Sequence, residues 1–143
     1  MRISDVLTSK PGGQVITIGP DATVRDLLGL LAQHNVGAVV VSADGERVDG
    51  IVSERDIVRR LAESDAVLDG AVSAIMTSDV QTCAPDVPVD DLRRLMTERR
   101  IRHVPVVTNG KLTGIISIGD VVKSSIGQLE FERDQLDNYL HQS

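Results

Sequence analysis

The sequence is almost without aromatic side chains. It has no tryptophan, and Phe131 and Tyr139 are its only aromatic residues among 143. The core must therefore be aliphatic, and a surface that stacks the bases of a single strand is disfavoured, because such surfaces need aromatic platforms. The 21 acidic residues also outnumber the 15 lysines and arginines. Because a nucleic-acid partner requires a basic face, this excess of negative charge predicts no such partner.

Cysteine and long apolar runs are equally scarce. Cys83 is the only cysteine, so no intrachain disulfide can form, and we expect a reducing, cytoplasmic setting. No apolar stretch approaches the roughly 20 residues that a membrane helix needs, and Arg2, Ser4 and Asp5 interrupt the N-terminus. We therefore expect neither a signal peptide nor membrane insertion.

What the chain does contain is an internal repeat. Residues 15–21 match residues 80–86 at Val, Thr, Pro and Asp, and the match continues downstream at the same offset. After one extra residue at Glu46, residues 50–58 match residues 114–122. About one position in three is identical over roughly 45 residues, a longer register than chance maintains.

The similarity extends upstream, where residues 3–9 resemble residues 72–78. A Pro-Gly-Gly sequence at residues 11–13 predicts a loop that only the first copy has. We accordingly expect three parts: a first repeat with its lead-in helix at residues 1–67, a second repeat at 68–126, and a C-terminal amphipathic helix at 127–143.

Each copy reads as strand, helix, strand, strand, helix. Thr23 can cap a helix with Asp26 three residues on, and residues 39–41 form a short apolar strand of the buried kind. Asn109 and Gly110 predict the turn between the last two strands of the second copy. Because one such half is too small to bury its aliphatic face alone, we predict an α/β (α+β) fold of two β-α-β-β-α repeats. We expect the repeats to pack with pseudo-twofold symmetry, followed by a C-terminal helix.

The C-terminal segment carries apolar residues on one side of a helix: Ile126, Leu129, Leu136 and Leu140, with Tyr139 beside them. This face could fold back on the chain's own core or form a contact between two copies. We favour the second interpretation, which predicts a homodimer.

The main candidate site is a motif that both copies share. Residues 50–56 and 114–120 both read glycine, two aliphatics, serine, two variable residues and aspartate, at a strand-to-helix junction. The free N–H groups and the positive dipole end of the following helix create an anion site there. The serine hydroxyl can donate to a phosphate, and the aspartate can accept hydrogen bonds from a ribose diol. The alternative is that the serine and the aspartate only cap the helix, as both residue types often do.

The whole repeat resembles a CBS domain, and the tandem resembles a Bateman module like those of free-standing bacterial CBS-pair proteins. The resemblance covers roughly residues 1–126 and rests on the two motifs, the strand at residues 102–107 and the early Pro-Asp pairs. It implies two related clefts between the halves, which bind AMP, ADP, ATP, NAD or S-adenosylmethionine.

The resemblance also assigns ligand-binding residues by position. Asp56 and Asp120 are expected to hold the ribose in separate sites, with Ser53 and Ser117 near the phosphates. Thr17 and Thr82, on the first strands, are expected beside the adenine or a phosphate. The backbone around Ala38 and Val104 is expected to form hydrogen bonds with the base.

The two implied sites are unequal. The resemblance brings Arg102 and His103 towards the phosphate at Asp56, where Arg55 also lies. The reciprocal positions beside Asp120 carry no charge: Gly37, Ala38 and Gly119. Because each charge-assisted contact to phosphate is worth about 1.5–3 kcal/mol, we predict that the Asp56 site prefers the more phosphorylated ligand. The Asp120 site should be weaker, or should take the nucleoside end of a larger ligand such as NAD.

We predict a ligand sensor and not an enzyme. Glu54 neighbours Asp56, but its counterpart is Ile118, and the chain has neither a nucleophile–base pair nor zinc-ligand spacing. The arginines between residues 93 and 102 are interpreted as a solvated helix face with one phosphate contact. Ligand binding is expected to shift the angle between repeats or protomers, which a regulated enzyme or transporter would detect. The alternative is an interaction and dimerisation scaffold with vestigial clefts.

Overall fold

A computed structural model of the chain describes residues 1–10 and 15–141. The loop predicted at residues 11–13 lies outside these residues, as do the last two positions of the predicted C-terminal helix. Within the described ranges, no helix is both long and apolar enough to cross a bilayer.

The first half is a small three-stranded sheet with two helices, preceded by a lead-in helix. Its elements in chain order are α1 (Ile3–Ser9), β1 (Thr17–Ile18), α2 (Val24–His34), β2 (Ala38–Val41), β3 (Gly50–Ser53) and α3 (Glu54–Leu61). β1 pairs in parallel with β2, which pairs antiparallel with β3. The predicted cap of α2 is confirmed, because the Asp26 N–H donates to Thr23 Oγ1 at 3.1 Å. The predicted element order of the first copy is therefore found.

Two short 3-10 helices, Asp65–Asp69 and Val72–Ala74, lead to the second half. Its elements are α4 (Val89–Arg99), β4 (His103–Thr108), β5 (Lys111–Ser117) and α5 (Ile118–Leu140). β4 and β5 pair antiparallel. The turn between them carries positive φ angles at Asn109 and Gly110 (53° and 79°), as the Asn-Gly sequence predicts.

The first strand expected for the second copy is reduced to one parallel bridge between Cys83 and Val106. The Cys83 N–H donates to Pro105 O at 3.0 Å. Because the nitrogen and the carbonyl of one strand residue point the same way, the Pro105 nitrogen also faces the segment that contains Cys83. Proline has no N–H to donate, and the ladder cannot continue there. The equivalent position in the first copy is Val40, which pairs with Thr17 in a regular strand.

The lead-in segments cross between the halves. Ile3 and Val6 of α1 are buried in the core of the second half, and the Ile3 N–H donates to Val87 O at 2.9 Å. Val72 and Ile75 are buried in the core of the first half. Each core is therefore completed by the segment that precedes the other repeat, which ties the two halves together.

The last helix does not end where the second repeat ends. α5 runs without a break for 23 residues from Ile118 to Leu140, so the predicted repeat helix and the predicted C-terminal helix are one element. Of this helix only Val121 is buried. Its second part projects beyond the core.

Candidate functional site

Both shared motifs are helix caps. The Asp56 N–H donates to Ser53 Oγ at 3.3 Å, and Asp56 Oδ2 accepts from the Ser53 N–H at 2.9 Å. The Asp120 N–H donates to Ser117 Oγ at 3.1 Å, and Asp120 Oδ2 accepts from the Ser117 N–H at 2.9 Å. The capping interpretation is thus confirmed in both copies. It does not exclude a ligand, because within the described part of the chain Oδ1 of each aspartate accepts no hydrogen bond.

The crossing of the lead-in segments explains the glycine that begins each motif. A Cβ at Gly50 would lie 2.6 Å from Met76 Sδ and 2.9 Å from the Thr77 carbonyl oxygen. A Cβ at Gly114 would lie 2.7 Å from Leu7 Cδ2. These close approaches show that Leu7 and Met76 occupy equivalent places in the two halves.

A cavity of about 550 Å³ lies between the halves at the first motif. Strands β2 and β3 and the start of α3 contribute from the first half, and the end of α4 and the start of β4 contribute from the second. The segment from Thr77 to Gln81 forms a further wall. Six of the residues predicted to bind a ligand line this cavity: Ala38, Ser53, Arg55, Asp56, Arg102 and His103.

The cavity carries more positive charge than the sequence predicted. Five arginines line it against three carboxylates. Arg59 lies one helical turn beyond Arg55, and Arg99 and Arg100 come from the end of α4. Arg99 and Arg100 are exposed, as the interpretation of a solvated helix face expects, and they also line this cavity. Two signals in the sequence could have identified these arginines: Arg99 and Arg100 come just before Arg102, and Arg59 lies one helical turn after Arg55.

Thr17, Thr82 and Val104 do not line this cavity. Thr17 is half-buried in β1, Thr82 is exposed to an intermediate degree outside any strand, and Val104 is completely buried in the second core. Their assigned contacts with a base or a phosphate stay predictions.

The surroundings of the half-buried His103 disfavour its charged form. Burial lowers the pKa of this imidazole, and the nearby Lys10 ammonium lowers it further, against the opposing effect of Asp120. The sequence placed His103 among the positive groups expected at the Asp56 site, whereas the lowered pKa favours the neutral side chain, which can donate one hydrogen bond and accept another.

The second motif has a cation that its sequence pattern did not predict. Lys10 Nζ lies 2.9 Å from Asp120 Oδ2 and donates to the Ile115 carbonyl at 2.9 Å. Burial alone would raise the pKa of Asp120, but the Ser117 N–H and the Lys10 ammonium outweigh it and hold that pKa below its usual value. Asp120 lines a separate cavity of about 430 Å³ between α1 and α5. The prediction from the sequence considered only the uncharged positions Gly37, Ala38 and Gly119, and it did not include Lys10.

The described residues also bear on catalysis. Burial raises the pKa of the Cys83 thiol to about 11, so it remains protonated and packs as a small apolar group. No group of three or more His, Cys, Asp or Glu side chains within residues 1–10 and 15–141 could hold a metal ion.

The comparison with known proteins gives the same family for both halves. The family model described as CBS domain matches residues 3–63 and again residues 72–127. The chain is 36% identical over 146 aligned residues to the mitochondrial CBS domain-containing protein CBSX3 of Arabidopsis thaliana, covering 96% of this chain and 71% of that protein.

Solved structures agree with this result and confirm the predicted fold class. The crystal structure of the CBS-domain containing protein ATU1752 from Agrobacterium tumefaciens has a TM-score of 0.82 and 46% identity, covering 87% of this chain and 99% of that chain. The CBS domain pair of protein MJ0100, solved in complex with 5′-methylthioadenosine and S-adenosyl-L-methionine, has a TM-score of 0.78 and 28% identity. It covers 90% of this chain and 98% of that one.

Proposed function

This chain belongs to the CBS-domain family, and on that basis we propose that it is a regulatory module that binds an adenine nucleotide in the cavity at Asp56. One observation carries the proposal: Asp56, the aspartate expected to bind a ribose, and five arginines line the same cavity between the two halves. The complex of the MJ0100 domain pair with 5′-methylthioadenosine and S-adenosyl-L-methionine supports an adenosine-containing ligand.

The ribose is assigned to Asp56. The cap fixes this carboxylate through Oδ2, while Oδ1 is without a hydrogen bond within the described residues and can accept one from a ribose hydroxyl. Because Ser53 and Asp56 already hold each other, the carboxylate is positioned before the ligand arrives. Little conformational entropy is then lost on binding.

The phosphates are assigned to the arginines and to the start of α3. Arg55 follows the cap directly, and Arg102 reaches the same cavity from the other half. The excess of positive charge favours a nucleotide with several phosphates over S-adenosylmethionine, whose sulfonium would be repelled. AMP, ADP, ATP and NAD all satisfy this chemistry, and the arginine count favours ADP and ATP among them.

Regulation follows from the position of the cavity. A ligand that contacts Asp56 in one half and Arg102 in the other binds best at one relative placement of the halves, so it shifts the population towards that placement. A partner enzyme or transporter can then detect the change. We propose no catalytic step for the chain itself.

We also propose that the module is a homodimer joined through α5. One face of this helix has apolar residues and one arginine spaced alternately four and three apart: Val122, Ile126, Leu129, Arg133, Leu136 and Leu140. The apolar members are 50–65% exposed. This is the spacing of a coiled-coil seam.

A second candidate function, an interaction scaffold with vestigial clefts, is favoured by the same exposed face. The double variant Asp56→Ala/Asp120→Ala separates the two functions. If it folds and dimerises but loses its effect on a partner, the clefts matter. If the effect persists, the scaffold explanation is correct.

The nucleotide proposal is tested by thermal unfolding with AMP, ADP, ATP, NAD and S-adenosylmethionine. A ligand at 100 times its dissociation constant stabilises the folded state by about 2.7 kcal/mol, which raises Tm by on the order of 10 °C. We expect this shift with ADP or ATP, and its loss in Asp56→Asn. Asp21→Asn, an exposed aspartate outside the cavity, is the matched control and should keep the shift. Absence of a shift with all five ligands would refute the proposal.

A further inference from the structure

We propose that Lys10 is a built-in occupant of the second motif, so that the chain binds its first nucleotide at Asp56 and a second only when Lys10 has left Asp120. This inference rests on the proposed function and adds to it the residue that makes the two motifs unequal.

The contact is specific in its geometry. Lys10 Nζ lies 2.9 Å from Asp120 Oδ2 and 2.9 Å from the carbonyl oxygen of Ile115, a residue of the same motif. The lysine side chain is 34% exposed and the aspartate side chain 20%, so the pair is partly shielded from water. An ammonium held by one charged and one neutral acceptor resists displacement more than a free surface lysine does.

The first motif has no such occupant. Among the described residues Asp56 forms no ion pair, although five arginines line its cavity. Both aspartates use Oδ2 for the cap and have no hydrogen bond to Oδ1 within the described residues, but only Asp120 Oδ2 also holds an ammonium group, which a ribose diol that contacts both oxygens must displace.

The difference arises at one pair of equivalent positions. Leu7 and Met76 occupy corresponding places against Gly114 and Gly50, so the residues three positions further on also correspond. These are Lys10 and Asp79. Asp79 lines the Asp56 cavity and carries the wrong charge to pair with Asp56. The opposite charges of Lys10 and Asp79 thus leave Asp120 paired with a lysine and Asp56 accessible to a ligand.

A ligand at the second motif must exchange the ammonium of Lys10 for its own ribose hydroxyls. Hydroxyls are weaker partners for a carboxylate than an ammonium is, and the Ile115 carbonyl loses its charged donor in the exchange. The second site is therefore expected to be weaker than the same motif without the lysine by roughly tenfold or more.

The test is the stoichiometry of AMP binding by isothermal titration calorimetry on the full chain. We expect one AMP per wild-type chain and two per Lys10→Met chain, with the additional site removed by a further Asp120→Asn substitution. Lys111→Met removes an exposed lysine that pairs with Glu46 at 3.8 Å, and it should bind one AMP, as the wild type does.

The outcomes distinguish this inference from the function on which it rests. Two equal AMP sites in the wild type, or one site in Lys10→Met, would overturn the role of Lys10 while leaving the nucleotide site at Asp56 intact. If neither the wild type nor the Lys10→Met chain binds AMP, ADP or ATP, the proposed function itself is wrong. An NMR titration of the Asp120 carboxyl decides the contact independently: its pKa must rise in Lys10→Met, and an unchanged pKa would show that Lys10 does not hold Asp120.

Discussion

At the level of single residues, a helix cap and the proposed ligand site use the same two side chains. Ser53 and Asp56 satisfy the first N–H groups of α3, and this fixes the carboxylate at the wall of the cavity. The capping and ligand-binding interpretations of the motif are therefore compatible. The two motifs differ in the ion pair of the aspartate, since only Asp120 has one within the described residues, with Lys10.

We expect the half-buried imidazole of His103 to make the stability of the protein depend on pH. Its pKa is lowered in the folded state, so between that value and the ordinary histidine value of 6.5 the unfolded chain binds more protons. Stability should fall as the pH drops below about 6.5, by at most about 1.4 kcal/mol per pH unit. Denaturant unfolding between pH 7 and 5.5 should show a smaller loss in His103→Gln than in the wild type. An equal loss in both proteins would contradict this role of His103.

A side chain at Gly50, the glycine that begins the first motif, should lower the stability of the fold. We expect Gly50→Ala to destabilise the protein by about 1–3 kcal/mol, because the new methyl group meets a backbone carbonyl as well as Met76. Gly127→Ala, in an open position of α5, should be neutral or stabilising by up to about 1 kcal/mol. Urea unfolding measures both, and similar effects at the two positions would argue against the crossing contact.

At the level of helices and strands, the repeat and the motifs could be predicted from the sequence because their signals are local. The Thr23 cap, the Asn109-Gly110 turn and the strand-to-helix junctions depend on neighbours within a few residues. The truncated strand at Cys83 and the exchange of lead-in segments depend on residues far away in the chain, such as Pro105 and Val87. A pattern within one segment carries no information about these partners.

The exposed face of α5 leads to a prediction about assembly. Leu129→Glu places a charge in the middle of the proposed seam, and it should convert the dimer to a monomer in light scattering. Gln135→Glu adds the same charge on the same helix, at a position outside the proposed seam, and should leave the dimer unchanged. A truncation after Ser125 should also be monomeric. A dimer that survives this truncation would remove α5 from the contact.

At the level of the fold as a whole, the site exists because two halves meet. Six of the eleven residues chosen from the sequence converge on one cavity, and they come from both repeats. Arg102 could be paired with Asp56 in advance only through the family resemblance, since 46 residues separate them in the chain. Lys10 could not be predicted, because it lies in a lead-in segment whose place against the other half no local pattern reveals.

The proposal on which the others depend is that a nucleotide binds between the halves at Asp56, and a crystal structure of the protein grown with ATP is its sharpest test. We expect ribose hydroxyls on the Asp56 carboxylate and phosphates on Arg55 and Arg102. An empty cavity at Asp56, or ATP bound only at Asp120, would show that the proposal is wrong.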